Sequence, residues 1–460
     1  MPRKPIEIDG RTGEGGGQLV RVAIALAAVT TQPVRITNVR GNRHSSDGGR
    51  SRSSKTGEGS RKGGGLKAQH VTAIRWLAEA TDAEVEGLSV GSSTLTFNPR
   101  LPPSAALDKY KSRKIKIVAD TTAASTLLII QAVLPFLLFA GGDADAGPTG
   151  DTSSTPKPKP TELEIQGGTN VDFSLSYEYL DQVLIPRLES SFEGVHVGRE
   201  LVRRGWSRGP QGKGSIVLTI HPLKPGQTLR QTSAPKNPHE GTPTGLRDVV
   251  HCIDVTMIAP SDSEAPLQET LAKDIALAFP DAKITFKPFE DSHNEKRTYV
   301  LLVARDASGT LCWGRDDYVS GPPRRHACHG KHRSSDMSYV VGAISRSVVS
   351  KLVDELSTPG STIDNFLQDQ LVIFQALAEG TTSFPRAAAP KAGSGDDVNV
   401  ASQDMAQLDL ERMRKDKTDK PFGYGSLHAQ TARWVASGIL PTVEWYNKGT
   451  VCKGVGTSFS

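Results

Sequence analysis

The segment DGRTGEGGGQLVRVAIALAAVTTQPVRITNV, residues 9–39, combines a glycine-rich loop, a helical pattern and a strand pattern. The loop contains five glycines, and a short strand pattern at residues 6–8 precedes it. From Gln18 onward, apolar residues recur with the spacing of an amphipathic helix, and VRITNV then follows as a strand. The segment therefore predicts the order strand, loop, helix, strand, which is typical of α/β structure.

The same order of patterns occurs three times along the chain. Each copy contains a helix, a strand, a second helix and a β-hairpin, and the copies share this pattern rather than identical residues. The first helices of the three copies are GQLVRVAIALAAVT, AASTLLIIQAVLPFLLFA and NFLQDQLVIFQALAEG. The sequence therefore predicts an α/β (α+β) fold with three tandem helix–strand–helix–hairpin modules.

One long segment, residues 225–357, interrupts this repeat with strand and helix patterns of its own, which predicts a smaller inserted α/β domain. Modules one and two then occupy residues 1–224, and module three occupies 358–460. Low-complexity stretches near 45–65, 141–161 and 386–420 are rich in Gly, Pro, Ser or small polar residues. We expect them to be disordered insertions, because they cannot bury enough apolar surface to offset the entropy of ordering.

Composition excludes several classes of protein. The chain has 460 residues, a net charge of +5 and four scattered cysteines, which favours a reducing compartment and permits a polyanionic partner. No apolar secretory signal is expected at the N-terminus. The stretch TLLIIQAVLPFLLFAGG is short for a membrane span and contains Gln131 and Pro135, so it predicts a buried helix and no membrane partner.

The glycine loop carries an acid, Glu14, among backbone N–H groups that would suit phosphate. The loop matches neither the P-loop nor the dinucleotide fingerprint, and a tight turn that needs positive φ is an alternative interpretation. A carboxylate fits beside phosphate if a divalent cation lies between them. The loop therefore predicts a metal–nucleotide site, with helix capping by Glu14 as the structural alternative.

Two other motifs are weaker. RGPQGKGS, residues 208–215, has a Gly-Lys-Gly-Ser sequence without P-loop spacing, and we interpret it as the turn of a hairpin. The cluster HACHGKH, residues 326–332, lies near Cys312, but its spacing fits no structural zinc pattern well.

Longer motifs resemble a known family, the RNA 3′-terminal phosphate cyclases. The resemblance lies in the opening segment, in GGGLKAQHVTAIRWLAEATDAEVEGLSVGSSTLTF, and in LLIIQAVLPFLLFA, QGGTN, FLQDQLVIFQALAEG and LHAQTA. It covers most of the chain outside the low-complexity stretches and much of 225–335. It implies a cyclase domain of three α/β modules with a smaller inserted domain.

The resemblance also implies a reaction. Members of the family use ATP to convert an RNA 3′-phosphate end into a 2′,3′-cyclic phosphate. A histidine becomes adenylylated, AMP passes to the RNA phosphate to give an RNA-(3′)pp(5′)A end, and the neighbouring 2′-OH displaces AMP. The implied partners are ATP, RNA with a 3′-phosphate and a divalent metal, Mg²⁺ or Mn²⁺.

Site residues follow from the matching motifs. The resemblance implies that His428 in SLHAQTA is the nucleophile, and it supports Glu14 as the metal-binding acid. Because the attacking nitrogen must be unprotonated, an acceptor is expected to hold the other N–H of His428. The adenosine-binding residues that the resemblance implies are Gln131, Pro135, Phe366, Leu367, Gln368, Asp369 and Gln370. The residues expected to face substrate phosphate are Arg21, Arg40, Arg43 and Gln69.

Several alternatives stay open. Gln131 is alternatively an amide paired within the core, and Phe366 an ordinary core aromatic. The link GNRHSSDGGRSRSSKTGEGSRKGGGL departs from the shorter family pattern, which leaves the positions of Arg43 and Gln69 unfixed. Functionally, the alternatives are a catalytically inactive relative acting in pre-rRNA processing and ribosome biogenesis, and an inactive RNA-binding protein. Resemblance to eukaryotic members implies the nucleus (nucleoplasm), with the cytoplasm as a further location.

Overall fold

The structure is a computed structural model that describes most of the chain. The residues described are 3–42, 64–107, 112–141, 158–210, 212–232, 249–318, 333–358, 360–386 and 413–459. Arg43, most of the three low-complexity stretches and the HACHGKH cluster lie outside these residues.

The first module contains a four-stranded sheet with order β1-β2-β4-β3. Strands β1 and β2 are parallel, and the other neighbours are antiparallel. Because parallel neighbours need a crossover, the helix between β1 and β2 packs on the sheet, and the glycine loop connects the end of β1 to the start of this helix. The elements are β1 (Ile6–Asp9), α1 (Gly17–Thr30), β2 (Val34–Thr37), α2 (Ala68–Thr81), β3 (Glu84–Glu86) and β4 (Leu95–Asn98).

The second module repeats this topology with the sheet order β5-β6-β8-β7, in which β5 and β6 are parallel. Its predicted second helix is interrupted by a π-helical turn, Leu180–Leu184. The strand β5 is absent from the sequence-based prediction. The elements are α3 (Pro103–Ala106), β5 (Lys114–Val118), α4 (Thr126–Leu138), β6 (Thr161–Gly167), α5 (Tyr177–Tyr179), α6 (Ile185–Ser191), β7 (His196–Arg203) and β8 (Gly214–His221).

The segment predicted as an insertion contains a sheet of its own, ordered β10-β9-β12-β13, with β11 also paired to β9. Two helices cover it and share a separate apolar core that includes Leu267, Val300 and Trp313. The elements are β9 (Val250–Ala259), α7 (Glu264–Ala278), β10 (Lys283–Phe286), β11 (Glu290–Asp291), β12 (Tyr299–Asp306), β13 (Cys312–Tyr318) and α8 (Arg333–Leu356). The domain boundaries themselves stay a prediction.

The third module has a three-stranded antiparallel sheet with order β14-β16-β15. Among the described residues, no strand equivalent to β1 or β5 precedes its first helix. The elements are α9 (Asn365–Leu377), β14 (Thr381–Ser383), α10 (Leu427–Ile439), β15 (Glu444–Tyr446) and β16 (Val451–Lys453).

The helices of the three modules pack on one another and share one continuous apolar core. Helix α1 packs against α4 and α10, and α9 packs against α4 and α10. Burial on most sides explains why α1 and α4 are apolar nearly all round. In the described part of the chain, no helix is both long and apolar enough to cross a membrane. The predicted mixed α/β class is confirmed.

Candidate active site

The glycine loop bends sharply between β1 and α1. Gly13 and Gly15 have φ of +65° and +58°, in the left-handed region that favours glycine. Gly16 is the N-cap residue of α1, so the loop delivers the chain directly into the helix. The tight-turn interpretation therefore describes two of the glycines, and the loop still presents backbone N–H groups at a helix N-terminus.

A threonine of α10 holds this loop. The backbone N–H of Glu14 donates to Thr431 Oγ1 at 3.0 Å. A Cβ atom on Gly13 would lie only 2.2 Å from the same hydroxyl oxygen, so a larger residue would push the loop away. Ser426 caps α10 by accepting a hydrogen bond from the Ala429 N–H at 3.1 Å. The N-termini of α1 and α10 consequently meet at the glycine loop, where both favour bound anions.

The predicted nucleophile and the predicted metal-binding acid are neighbours in this structure. Nδ1 of His428 lies 3.1 Å from Oε2 of Glu14. The Glu14 side chain is 8% exposed and the His428 side chain is 43% exposed. When Nδ1–H is held by the carboxylate, the neutral imidazole has its lone pair on Nε2. Glu14 is thus an acceptor of the kind that the sequence requires for His428.

Helices α1 and α4 contribute a second cluster, built around Arg21. Its Nε donates to Oε1 of Gln131, and its Nη2 donates to Gln18 Oε1 at 2.6 Å. Gln131 Nε2 also donates to Gln18 Oε1 at 3.1 Å. Burial lowers the pKa of Arg21 to about 10, partly offset by Asp369, so the guanidinium stays charged at neutral pH. The amide of Gln131 therefore has partners in the core, as one of the two interpretations predicts.

Asp369 brings the third module to this cluster. Burial raises the pKa of its carboxyl to about 6, and His428, the Gln370 amide and Arg21 act in the opposite direction. Gln370 Nε2 donates to Asp369 Oδ1 at 2.6 Å. Helices from all three modules therefore place polar groups at one position, and Asp369 titrates much closer to neutrality than an ordinary aspartate.

An apolar pocket lies between α4, α6 and α9. Its walls are largely leucine, isoleucine and phenylalanine, with the amides of Gln131 and Gln370 as polar groups. Pro135 also lines it, so three of the predicted adenosine-binding residues come together here. Apolar walls with a few directed polar groups suit a planar heterocyclic ligand.

The remaining residues of the FLQDQ segment differ in exposure. Phe366 is 36% exposed, so it is not a core aromatic. The Arg315 guanidinium lies 4.3 Å from the centre of its ring, and Tyr179 packs edge-on at 6.0 Å. Leu367 is fully buried in the core. Gln368 is also buried, and its amide has no hydrogen-bond partner among the described residues.

The predicted phosphate-facing residues are placed unequally. Arg40 has φ of +55°, and its Nη1 donates to the Gly65 carbonyl at 3.4 Å. Burial lowers the pKa of Arg40, and the positive charge of Arg40 also lowers the pKa of Arg21. Gln69 lies partly buried in the first turn of α2. Arg43 is outside the described residues, so only Arg21 and Arg40 are seen together.

Sequence reasoning missed two polar residues that build this site. Thr431 positions the glycine loop, and His70 lies buried on α2, where Arg21 and Arg40 both influence its pKa. Both residues occupy the buried faces of amphipathic helices, where small hydroxyls and single histidines are common core residues. Only the partners seen in three dimensions distinguish them.

The described residues contain no group of three or more His, Cys, Asp or Glu side chains that could hold a metal ion. Glu14 therefore fits an ion that takes one protein carboxylate and completes its shell with phosphate oxygens and water, as Mg²⁺ often does. It does not fit a site made by protein ligands alone. For the zinc hypothesis, the described part contributes only Cys312, which is buried and whose thiol pKa burial raises.

Comparisons with known proteins agree with the sequence motifs. The model of the family described as RNA 3′-terminal phosphate cyclase matches residues 12–392, so its match ends before α10. The chain is similar to the RNA 3′-terminal phosphate cyclase of Staphylothermus marinus, with 31% identity over 82% of this chain and 85% of the relative. The protein of that name from Ignicoccus hospitalis is 29% identical over 91% of this chain and 97% of the relative. The one from Drosophila melanogaster is 28% identical over 83% of this chain and 85% of the relative.

Proposed function

The chain belongs to the RNA 3′-terminal phosphate cyclase family, and we propose that it converts an RNA 3′-phosphate end into a 2′,3′-cyclic phosphate with ATP. The observation that carries this proposal is the pairing of His428 with Glu14 at the meeting point of two helix N-termini. It gives the exposed imidazole a defined tautomer beside groups that favour phosphate. The retained histidine also favours the enzyme over a catalytically inactive pre-rRNA-processing relative.

In the first step, Nε2 of His428 attacks the α-phosphorus of ATP. An N–P bond forms, the bond to the bridging oxygen breaks, and pyrophosphate leaves. Positive charge develops on the imidazole in this step, and the Glu14 carboxylate at Nδ1 stabilises it. Arg21 and the N-terminus of α1 offset the negative charge that develops on the phosphates.

The next two steps involve the RNA. An oxygen of the RNA 3′-phosphate attacks the AMP phosphorus, the N–P bond breaks, and His428 is regenerated. The 2′-OH then attacks the activated 3′-phosphorus, a proton is lost, and AMP departs as the leaving group. AMP is necessary because direct cyclisation of a phosphate monoester would have to expel oxide or hydroxide. Arg40 and Gln69, with Arg43, are the residues proposed to face the RNA phosphate.

Adenosine is proposed to bind in the pocket between α4 and α9. Pro135 lines this pocket and offers a surface for the base, and the partly exposed ring of Phe366, which is not part of the pocket lining, is proposed as a second contact. Gln370 offers an amide, and Asp369 offers a carboxylate for the base or ribose. Gln131 contributes mainly by holding Arg21, because its amide already makes two hydrogen bonds.

Glu14 is the residue proposed to hold a divalent cation, Mg²⁺ or Mn²⁺, against the ATP phosphates. Such an ion would offset phosphate charge and help orient the triphosphate. The carboxylate then serves both the cation and Nδ1 of His428, which requires that its two oxygens divide these roles.

The test is a product assay. RNA with a 3′-phosphate is incubated with ATP and Mg²⁺ or Mn²⁺, and the end group is examined for resistance to alkaline phosphatase. We expect an ATP-dependent, phosphatase-resistant 2′,3′-cyclic end, and no reaction of RNA with a 3′-OH. A 3′-phosphate that stays phosphatase-sensitive with either metal would reject the proposal.

A further inference from the structure

We infer that His70, Arg21 and the N-terminus of α1 form a binding site for a phosphoryl group, in which Nε2–H of His70 is a hydrogen-bond donor. This inference rests on the proposed function for the identity of the substrate, which is either ATP or the RNA 3′-phosphate. The geometry of the site stands without it.

The first observation is the tautomer of His70. Its Nδ1 accepts a hydrogen bond from the backbone N–H of Lys67 at 3.1 Å. An accepting nitrogen carries a lone pair, so the proton of the neutral imidazole is on Nε2. Burial, reinforced by the charges of Arg21, Arg40 and Lys67, holds the pKa of His70 well below its usual range, so the ring is neutral at pH 7.

The second observation is that this proton has no acceptor. His70 is 2% exposed, and its Nε2 has no hydrogen-bond partner among the described residues. Leaving a buried donor unpaired costs roughly 1–3 kcal/mol, so such a group calls for an explanation. The hydrogen bond from Lys67 to Nδ1 is a helix-capping contact and explains only the other nitrogen.

The third observation is what lies beside this donor. A Cβ atom on Gly17, the first residue of α1, would lie 2.6 Å from Nε2 of His70 and 2.7 Å from Nη1 of Arg21. Two N–H donors therefore converge beside the first turn of a 14-residue helix, whose N-terminal amides also favour anions. Nη1 of Arg21 donates no hydrogen bond within the described part of the chain, while Nε and Nη2 are used.

The charges select the ligand. The charged groups that act on His70, namely Arg21, Arg40 and Lys67, are all cations. Arginine with several N–H donors is well suited to the oxygens of a phosphoryl group, and a neutral N–H donor adds a directed contact. A phosphoryl group supplies both the acceptor oxygens and the negative charge that this cluster requires.

Three variants test the site. His70→Phe keeps an aromatic ring but removes both the donor and the acceptor for the Lys67 N–H. His70→Gln keeps an N–H donor and, through Oε1, an acceptor that can cap the helix in the same way. Gly17→Ala keeps both donor side chains but puts a methyl group 2.6 Å from Nε2 of His70 and 2.7 Å from Nη1 of Arg21, so it must displace at least one of the two donors. Alanine is a better helix former than glycine, which offsets part of this steric cost, and thermal unfolding of each variant shows that binding is measured on folded protein.

Binding of inorganic pyrophosphate to the full chain, measured by calorimetry, requires neither RNA nor catalysis. We expect His70→Phe and Gly17→Ala to weaken binding about tenfold or more, and His70→Gln to stay within about threefold of the wild type. Unchanged binding in both His70→Phe and Gly17→Ala would overturn the inference. So would a His70→Gln variant that binds as weakly as His70→Phe.

Two further titrations identify the source of the phosphoryl group. One uses ATP, and the other compares a short RNA with a 3′-phosphate to the same RNA with a 3′-OH. A loss confined to ATP assigns the site to the nucleotide, and a loss confined to the 3′-phosphate assigns it to the RNA end. If the variants bind pyrophosphate more weakly but the wild-type protein makes no cyclic phosphate, this site is supported and the proposed function is rejected. If the variants bind pyrophosphate as the wild type does and the wild type makes cyclic phosphate, only this site is rejected.

Discussion

Nδ1 of His428 and the carboxylate of Glu14 lie 3.1 Å apart, although the two residues come from the opposite ends of the chain. The packing of α1 against α10 brings them together, and Thr431 fixes the distance by holding the backbone of the glycine loop. A carboxylate in a loop suited to phosphate thus has a second reason for its position. It orients the imidazole that is proposed to attack ATP.

Replacing Glu14 should separate its two roles. Glu14→Gln leaves an oxygen that can accept Nδ1–H, and Glu14→Ala leaves none. We expect both variants to need about tenfold more metal for half-maximal adenylylation, because each loses the anionic ligand. Glu14→Ala should also be slower at saturating metal. Rates measured against Mg²⁺ or Mn²⁺ concentration give both quantities.

Helix capping predicts a different pattern for the same variants. If Glu14 only caps α1, Glu14→Ala would lose about 1 kcal/mol of stability and keep its metal requirement. A lower melting temperature with unchanged metal dependence would therefore contradict the metal-binding role.

Asp369 and Gln370 should contribute to the use of ATP. We expect Asp369→Ala or Gln370→Ala to lower kcat/KM for ATP. The decrease should correspond to a loss of roughly 1–3 kcal/mol in transition-state stabilisation, the usual effect of losing a buried polar partner. The loss should be mainly in KM, with less effect on the affinity for RNA. Wild-type ATP kinetics in both variants would place the adenosine pocket elsewhere.

The raised pKa of Asp369 predicts how stability depends on pH. Its pKa is about 6 in the folded protein and 3.8 in the unfolded chain, so the folded state holds the proton more tightly. The contribution of this shift to the stability of the fold is complete below the unfolded pKa of 3.8 and is lost as pH rises through the folded pKa of about 6. The free energy of unfolding should fall, relative to Asp369→Asn, by up to about 1.4 kcal/mol per pH unit in that window.

Urea unfolding of the wild type and Asp369→Asn across this pH range measures the difference directly. The asparagine does not titrate, so groups that do not interact with Asp369 cancel in the comparison. A difference that increases with pH would mean that Asp369 is stabilised in its charged form instead.

A buried ion cluster joins the segment predicted as an insertion to the third module. Glu355 of α8 accepts hydrogen bonds from both Arg315 of β13 and Arg386, which follows β14. Glu355→Gln leaves two buried guanidinium groups without their carboxylate and should cost about 3–5 kcal/mol in unfolding free energy.

The matched control is Glu84→Gln, which breaks an exposed pair with Arg100 and should cost less than about 1 kcal/mol. Equal losses in the two variants, measured by urea unfolding, would show that the buried cluster contributes no more than a surface pair. Because Arg315 also lies over Phe366, Glu355→Gln is in addition a useful probe of ATP affinity.

The sequence predicted most of the elements because helix and strand periodicities are local. The three β-hairpins and the first helices of the modules are found where the patterns placed them. The strand β5 is missing from the prediction although KIKIV alternates lysine with isoleucine, which is the local pattern of a half-buried strand. Its place in the sheet depends on parallel pairing with β6, which is a non-local contact.

The partners within the site could not be predicted in the same way. The need for an acceptor at His428 follows from the chemistry, but its identity depends on how α1 packs against α10. His70 shows the limit most clearly, since a single histidine on an amphipathic helix usually belongs to the core. Its unpaired Nε2 and its closeness to Gly17 and Arg21 exist only in the folded chain.

The most direct measurement is covalent labelling by α-³²P-labelled ATP, with Mg²⁺ or Mn²⁺, in wild-type protein and in His428→Asn. Wild-type protein should acquire an acid-labile AMP adduct that survives denaturing electrophoresis. His428→Asn should acquire none while keeping the circular dichroism and melting temperature of the wild type. Labelling of His428→Asn at the wild-type level, or no labelling of the wild type with either metal, would contradict the role of His428 as nucleophile.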